Sequence, residues 1–541
     1  MEKPPEQPFH LERFSPVWPW MVLLAALVFA AVLRVRTLDL PLERDEGEYA
    51  YAGQLLLRGV PPYTLAYNMK LPGTYLVYAG ILGAFGETET AIRLGLLLFN
   101  AATIVLVFLL GRRLFDAPTG AIACVIYALT SLSPGVLGMS AHANHFVIFF
   151  ALCAILVLLR AVDRGRAGNF FFSGLLFGVA FLMKQQGIFF LFFGGSYLLW
   201  QEFRARPTNW TLLVRQVGVF SLGATIPFSV TCLVLFWCGA FSKFWFWTFS
   251  YSRTYATLLP LREAGLSLMF RLKTFGWPEH FLWIFAALGL VWLIFCKNLR
   301  SQLPFLVGLL LVSVAAASAG FYFRPHYFIL ALPVQALLCG VAVRCCAQLD
   351  ALNRLPKITR QLLLGLFLLT TLALAAAELS IYQTPTQINQ RIYGGNPFRE
   401  AREVGRYIRG HSAPDARVAV VGSEPEIYFY SQRRSATSYI YTYALMETHP
   451  FAHQMQLDMI REIETARPEF LVFVNFQLSW MTEARSEKTI ISWAEKYWSQ
   501  FYEIVGIIDT ISDSETKYVW DGAAKTCLPQ SKNYIFVFRR K

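Results

Sequence analysis

Five of the 17 acidic residues in the first 380 positions fall within ten consecutive places: Asp39, Glu43, Asp45, Glu46 and Glu48. The stretch Glu48–Arg58 (EYAYAGQLLLR) has helical spacing and is stopped by Gly59, so the carboxylates lie at or just before a helix N-terminus. Two chemistries suit that position. Acidic residues there complement the helix dipole and cap the first turn. Alternatively, a carboxylate held at a membrane–water boundary accepts the proton of an incoming hydroxyl. Lys70-Leu71-Pro72-Gly73 closes the same loop, its lysine either snorkelling to the interface or meeting a phosphate. Arg93, at the start of the next apolar run, is open to the same two readings.

Three more polar groups interrupt apolar sequence. Lys184 stands between two short apolar runs and is followed by Gln185 and Gln186. Arg324-Pro325-His326-Tyr327 opens a late run. His142 and His145 flank Asn144, and their i,i+3 spacing predicts both imidazoles on one helix face. Each has a bland reading as anchor, cap or packed histidine. Ionisable residues at the ends of apolar runs are nevertheless the natural candidates for function, Lys184 and Arg324 foremost. Two histidines are too few to hold a metal unless carboxylates join them, which makes Asp45, Glu48, His142 and His145 the candidate ligand set.

The elements that must position these groups are membrane spans. Of 541 residues, 55% are hydrophobic and only 15% charged, with a mean hydropathy of +0.44. That excludes a soluble globular protein, a disordered chain, a coiled coil and a disulfide scaffold. Apolar runs near 17–36, 92–111, 118–136, 144–161, 169–183, 186–200, 213–239, 280–296, 303–319, 327–343 and 361–379 predict about eleven spans. The run 72–86 is short and reads as an interfacial helix, and the aromatic stretch Phe244–Tyr255 as an interfacial belt or re-entrant lip. Arginines and lysines on alternate connections (Arg112 and Arg113; Arg160, Arg164 and Arg166; Arg204, Arg206 and Arg215; Lys297 and Arg300; Arg344, Arg354, Lys357 and Arg360) place those connections in the cytoplasm. The expected division is a cytoplasmic N-terminus at 1–16, a membrane domain at 17–380 with its first outer loop at 37–91, and an extracytoplasmic domain at 381–541.

The first 380 residues hold 29 basic residues against 17 acidic, whereas residues 381–541 are nearly balanced at 19 and 18. Nearly all of the net charge of +13 therefore belongs to the membrane part, and nucleic acid is no explanation for it. In the tail, Pro397–Arg409 predicts an amphipathic helix, 450–466 another, and Arg417–Val421, Phe470–Asn475 and Asn533–Arg539 predict strands. The order suggests a small α/β domain.

Arg44-Asp45-Glu46-Gly47-Glu48-Tyr49-Ala50, then Arg58-Gly59-Val60-Pro61-Pro62-Tyr63, then Lys70-Leu71-Pro72-Gly73 resemble the first outer loop of bacterial GT-C glycosyltransferases. The similar group is the dolichyl-phosphate-mannose protein mannosyltransferase and aminoarabinose transferase-like family. Gly174–Gln185 and Arg324–Pro333 resemble two later signatures of that group. The resemblance implies a multi-pass enzyme of the bacterial inner membrane. It would move a sugar from a polyprenyl-phosphate donor to a lipid, glycan or protein acceptor on the outer face, with inversion. It implies Asp45 as the essential carboxylate, assisted by Glu46, and Lys70 and Arg93 on the donor phosphate. The residues themselves add Lys184, Arg324, His326 and Tyr327 to the phosphate site. With several cations around one phosphate, a divalent cation is allowed but not required.

A secondary transporter or flippase for a lipid-linked or anionic solute is the main alternative. It predicts charged or broken segments near mid-span and repeated halves. The informative charges lie at span ends instead, and the halves do not repeat.

Overall fold

A computed structural model describes residues 17–204, 209–296, 299–348, 357–380, 385–512 and 515–541. The predicted cytoplasmic N-terminus 1–16 and the basic residues Arg206, Lys297 and Arg354 lie outside the described residues.

Chain order begins with α1 (Trp18–Val35), α2 (Arg44–Leu57), α3 (Gly73–Phe85), α4 (Glu89–Leu114) and α5 (Ala117–Thr130). It continues with α6 (Ala143–Arg164), α7 (Ala167–Met183), α8 (Ile188–Arg204) and α9 (Trp210–Trp237). Seven described helices are long and apolar enough to cross a membrane, among them α1, α4, α6, α9 and Pro325–Cys346. Four more are apolar but shorter: α3, α5, α7 and Gln361–Ala377. Leucine, phenylalanine and tryptophan side chains on the outside of the bundle (Leu24, Phe172, Phe192, Trp237, Phe295) are exposed, as a lipid-facing surface requires.

The predicted aromatic lip is a distinct element. Phe241–Trp245 is α-helical, Phe246–Tyr251 widens to a π-helix, and Ser252–Thr257 returns to α. Trp247 stacks on Tyr67 of the 58–72 loop and packs edge-on against Tyr439 of the tail, so the stretch joins membrane domain to tail.

The tail carries one mixed six-stranded sheet: β1 (Arg417–Val421), β2 (Arg434–Ser435), β3 (Phe470–Asn475), β4 (Tyr502–Ser512), β5 (Glu515–Trp520) and β6 (Tyr534–Arg540), in the order β2-β1-β3-β6-β4-β5. β1 runs parallel to β2 and β3, and the remaining pairs are antiparallel. The expected strands match β1, β3 and β6, and the helices Phe398–Gly410 and Ala452–Ala466 lie where the amphipathic patterns put them.

Tail and α2 share buried polar contacts. The Leu42 backbone N–H donates to Tyr430 Oη (2.9 Å) and the Ser435 N–H to Tyr51 Oη (2.7 Å). Gln54 Nε2 donates to the Phe429 carbonyl at 3.2 Å. Arg44 donates to the Ser423 carbonyl and pairs with Glu424 at 3.0 Å. Gly47 makes this approach possible, because a Cβ there would sit 2.6 Å from the Cβ and backbone nitrogen of Glu426.

Candidate active site

The predicted acidic cluster is the start of α2. Glu43 is the N-cap, accepting from the Glu46 N–H at 3.0 Å, and the Glu46 side chain accepts in return from the Glu43 N–H at 3.2 Å. This reciprocal box satisfies two backbone donors that a helix start otherwise leaves open. Two of the acids are therefore scaffold.

Glu46 goes further. Fully buried, it pairs with Arg93 and accepts from the Ala141 N–H. Arg93 donates on to the carbonyls of Pro41 (3.1 Å) and Met139 (3.0 Å) and to Tyr393 Oη (3.2 Å). Expectation and structure part here. Glu46 does not assist a proton transfer and Arg93 does not face a ligand, because every oxygen of one and both terminal nitrogens of the other are taken inside the protein. Their pair fixes the 131–142 loop instead, together with Arg34, which donates to the carbonyls of Ser131 and Gly138 at 3.1 Å each.

What that loop presents is His142, the N-cap of α6. Its Nδ1 lies 3.7 Å from Asp45 Oδ2 and 3.6 Å from Glu43 Oε1. Its ring stacks on His326, centroids 4.0 Å apart and 16° from parallel. His326 stands on the 3-10 helix Pro325–Ala331. His145 is one turn into α6 and outside this group, since His142 precedes the helix and the i,i+3 face argument does not apply to it.

Lys70 pairs with Asp45 directly, and Lys184 acts on it by charge. Thr74 Oγ1 donates to the Met183 carbonyl at 2.8 Å, Gln185 Nε2 to the Met69 carbonyl at 2.6 Å, and Gly73 abuts the Leu182 carbonyl where a Cβ would collide. The Lys70 loop is thus pinned to the end of α7, where the extended backbone of Lys184 separates α7 from α8. Lys70 Nζ bridges Asp45 Oδ1 (2.8 Å) and Glu48 Oε2 (2.7 Å), and lies 4.6 Å from the centre of the Tyr49 ring. Tyr75 Oη donates to Glu48 Oε1 at 2.7 Å. Glu48 is consequently occupied as a partner of Lys70 and Tyr75. Lys184 Nζ donates to Asn144 Oδ1 at 3.0 Å and lies 4.3 Å from the Tyr327 ring centre. Arg324 lies 5.6 Å from the Tyr322 ring centre.

Burial raises the Asp45 carboxyl, but the ammonium groups of Lys70 and Lys184 outweigh it and hold the group well below the usual carboxylate range. Burial pushes Lys184 down to about 7, Asp45 only partly opposing it and Lys70 adding to it. Burial likewise keeps the His142 imidazole neutral, at about 3. Lys70 is the reverse: Asp45 and Glu48 overcome burial and raise it well above its ordinary value. The result is one firm cation, one cation that titrates near neutrality, and one carboxylate between them. Asp45, His142 and His326 each offer a ligand atom, all within 4.8 Å of one another, and neither ring nitrogen of His142 has a hydrogen-bond partner. That donor set fits a divalent cation, with His326 in place of the Glu48 and His145 expected from sequence.

Sequence reasoning missed Tyr75 and Asn144 as partners and Tyr441, whose ring from the tail lies 5.9 Å from Lys70 Nζ. Only its place in a tyrosine-rich run (YIYTY) hinted at it.

Residues 70–237 match the family model described as dolichyl-phosphate-mannose-protein mannosyltransferase. Undecaprenyl phosphate-alpha-4-amino-4-deoxy-L-arabinose arabinosyl transferases are similar in sequence. The Pseudomonas aeruginosa protein is 28% identical over 201 residues, 34% of this chain and 35% of its own. The Edwardsiella ictaluri protein is 31% identical over 178 residues, 31% of each. The aligned stretch spans about a third of the length of these relatives. Among solved structures, ArnT from Cupriavidus metallidurans bound to undecaprenyl phosphate superposes over 96% of this chain and 98% of its own, with a TM-score of 0.54 at 14% identity. The apo Archaeoglobus fulgidus oligosaccharyltransferase covers 96% of this chain and 76% of its own, at 0.50 and 15%. The chain is a multi-pass membrane protein of the GT-C fold whose residues 70–237 carry the protein mannosyltransferase family match.

Proposed function

We propose that the protein is a membrane glycosyltransferase that moves a sugar from a polyprenyl-phosphate donor to an acceptor hydroxyl on the outer face of the bacterial inner membrane. The observation that carries this reading is the meeting of Asp45 with Lys70 and Lys184 in one buried cluster. The sequence relatives named as undecaprenyl-phosphate sugar transferases support it.

The chemistry follows from the charges. The acceptor oxygen attacks the anomeric carbon from the face opposite the phosphate, the bond from that carbon to the phosphate oxygen breaks, and its electron pair leaves with the polyprenyl phosphate. The acceptor proton passes to Asp45. Lys70 and Lys184 stabilise the negative charge that grows on the leaving phosphate. Lys70 also couples the two halves of the reaction. While it grips Asp45 the carboxylate is a weak base; drawn toward the donor phosphate, it leaves Asp45 more basic. His142, neutral and 3.7 Å from Asp45, does not compete for the proton. No metal is needed for these steps. Where a divalent cation binds, Asp45, His142 and His326 hold it, and it adds positive charge beside the phosphate.

The test is Asp45→Asn, purified in lipid. Glu48 remains as a partner for Lys70, so the fold keeps its buried cation paired. The variant is expected to retain the co-purifying polyprenyl-linked sugar by mass spectrometry while turnover falls by about 10²–10⁴-fold. Unchanged turnover would remove Asp45 from the reaction.

A further inference from the structure

At the other end of α2 lies a second charged feature that plays no part in the chemistry above. A groove of about 820 Å³ is lined by Arg58, Arg409, Pro414, Asp415, Arg417, Gln432, Arg433 and Arg434. Its five guanidinium groups come from separate elements: the end of α2, the helix Phe398–Gly410, the start of β1, and the turn into β2. Asp415 is the one carboxylate in the lining.

Three of the arginines are held. Arg433 is buried and donates to the carbonyls of Arg409 (3.1 Å), Ser412 (2.7 Å) and Ser431 (3.2 Å) and to Ser412 Oγ (2.9 Å), which makes it the floor. Arg417 donates to the Ser435 carbonyl at 3.0 Å, and Arg58 pairs with Glu87 at 3.1 Å. Arg409 and Arg434 are exposed, and their side chains have neither ion pair nor hydrogen bond among the described residues. Burial and the adjacent Arg409 and Arg58 hold Arg433 below its ordinary value, with Glu469 and Asp415 only partly opposing them. Planar guanidiniums arrayed in this way match the oxygens of a phosphate.

The surroundings say where such a phosphate comes from. Leu57, next to Arg58, and Phe85, two residues before Glu87, are large apolar side chains exposed to the outside. The span α4 begins at Glu89. The cationic groove therefore stands beside the point where the chain enters the apolar layer, with greasy side chains at its foot. Asp45 and Arg58 are separated by the length of α2, about 20 Å at 1.5 Å per residue, so a ligand here does not reach the reactive cluster.

We propose that this groove binds the phosphate headgroup of an anionic lipid in the leaflet facing the tail, with Arg409 and Arg434 as its free contacts over the rigid Arg433. Both free contacts belong to the tail, and Arg58, held by Glu87, closes the groove on the membrane-domain side. The inference rests on the membrane fold and stands apart from the glycosyl transfer.

The test uses the full-length protein in detergent with phosphatidic acid as probe, phosphatidylcholine as the uncharged comparison and inorganic phosphate as the soluble competitor. Saturable binding of phosphatidic acid is expected, weakening with added salt, and at least about tenfold weaker in Arg409→Gln/Arg434→Gln. Arg434→Glu alone serves if the double variant is not monodisperse. Equal affinity in wild type and variants, or equal affinity for phosphatidylcholine, overturns the proposal. Arginine-dependent binding of inorganic phosphate as tight as that of the lipid overturns the lipid assignment.

Discussion

Replacing Gly47 by alanine sets local and tertiary effects of opposite sign against each other. Within a helix, Gly to Ala is favourable by about 1 kcal/mol. At Gly47, however, the new methyl group would stand 2.6 Å from the Glu426 Cβ and nitrogen and 2.8 Å from its Cα. These are atoms of the tail backbone, which cannot swing aside like a side-chain tip. Relief requires α2 and the helix Glu426–Ser431 to part by roughly 0.8 Å, an overpacking penalty of about 3 kcal/mol at its upper end. The net loss is then about 2 kcal/mol. The same displacement carries Asp45, two residues away, off its partners, and a misplacement near 1 Å lowers turnover by about 10²-fold. Gly80 of α3 is the control: a Cβ there meets nothing within 4 Å, so Gly80→Ala should be neutral or mildly stabilising with turnover intact. Thermal unfolding in detergent and steady-state transfer, read side by side, decide the matter. A Gly47→Ala protein as stable and as active as Gly80→Ala would refute the claim that the tail backbone is packed onto the reactive turn.

Lys184 carries its proton below about 7, so donor-phosphate binding should weaken as pH rises through that value and the dependence should flatten in Lys184→Arg; a titration of carrier-lipid affinity against pH checks this, and an identical profile in both proteins would contradict it. Arg93→Ala leaves Glu46 charged and buried, so it should lose about 3–5 kcal/mol of stability, measured by thermal unfolding, before any effect on chemistry is considered. Chelation followed by added divalent cation should restore any activity lost by wild type while having no effect on His142→Ala/His326→Ala, if those two histidines complete a cation site with Asp45.

How much of this was legible in the chain varied with the distance over which each residue is satisfied. The helix start at Glu43–Glu48 shows in local pattern, because capping is settled within three residues. β1, β3 and β6 are apolar or alternating runs and announce themselves; β4, with Glu503, Gly506, Asp509 and Thr510 among its apolar residues, and the polar β5 do not. The roles within the acidic cluster were hidden. Nothing nearby tells Glu46 from Asp45, since what separates them is Arg93, 47 residues on, which claims Glu46, and Lys70, which claims Asp45. Arg93 gives no local sign of its partner, because its position at a span start is the same whether it anchors in headgroups or in a carboxylate. The pairing of His142 with His326 crosses the membrane domain and follows only from the fold.

The contacts between α2 and the tail have a bearing on how the molecule is made. Leu42 and Tyr430 are 388 positions apart, and Tyr51 and Ser435 are 384 apart. Contacts so distant in sequence are late to form during synthesis. Until then the turn holding Asp45 lacks its neighbour at Gly47 and its anchor at Arg44. A product terminated before Tyr430 would consequently insert into the bilayer with its reactive turn unfinished, so that competence waits on the tail.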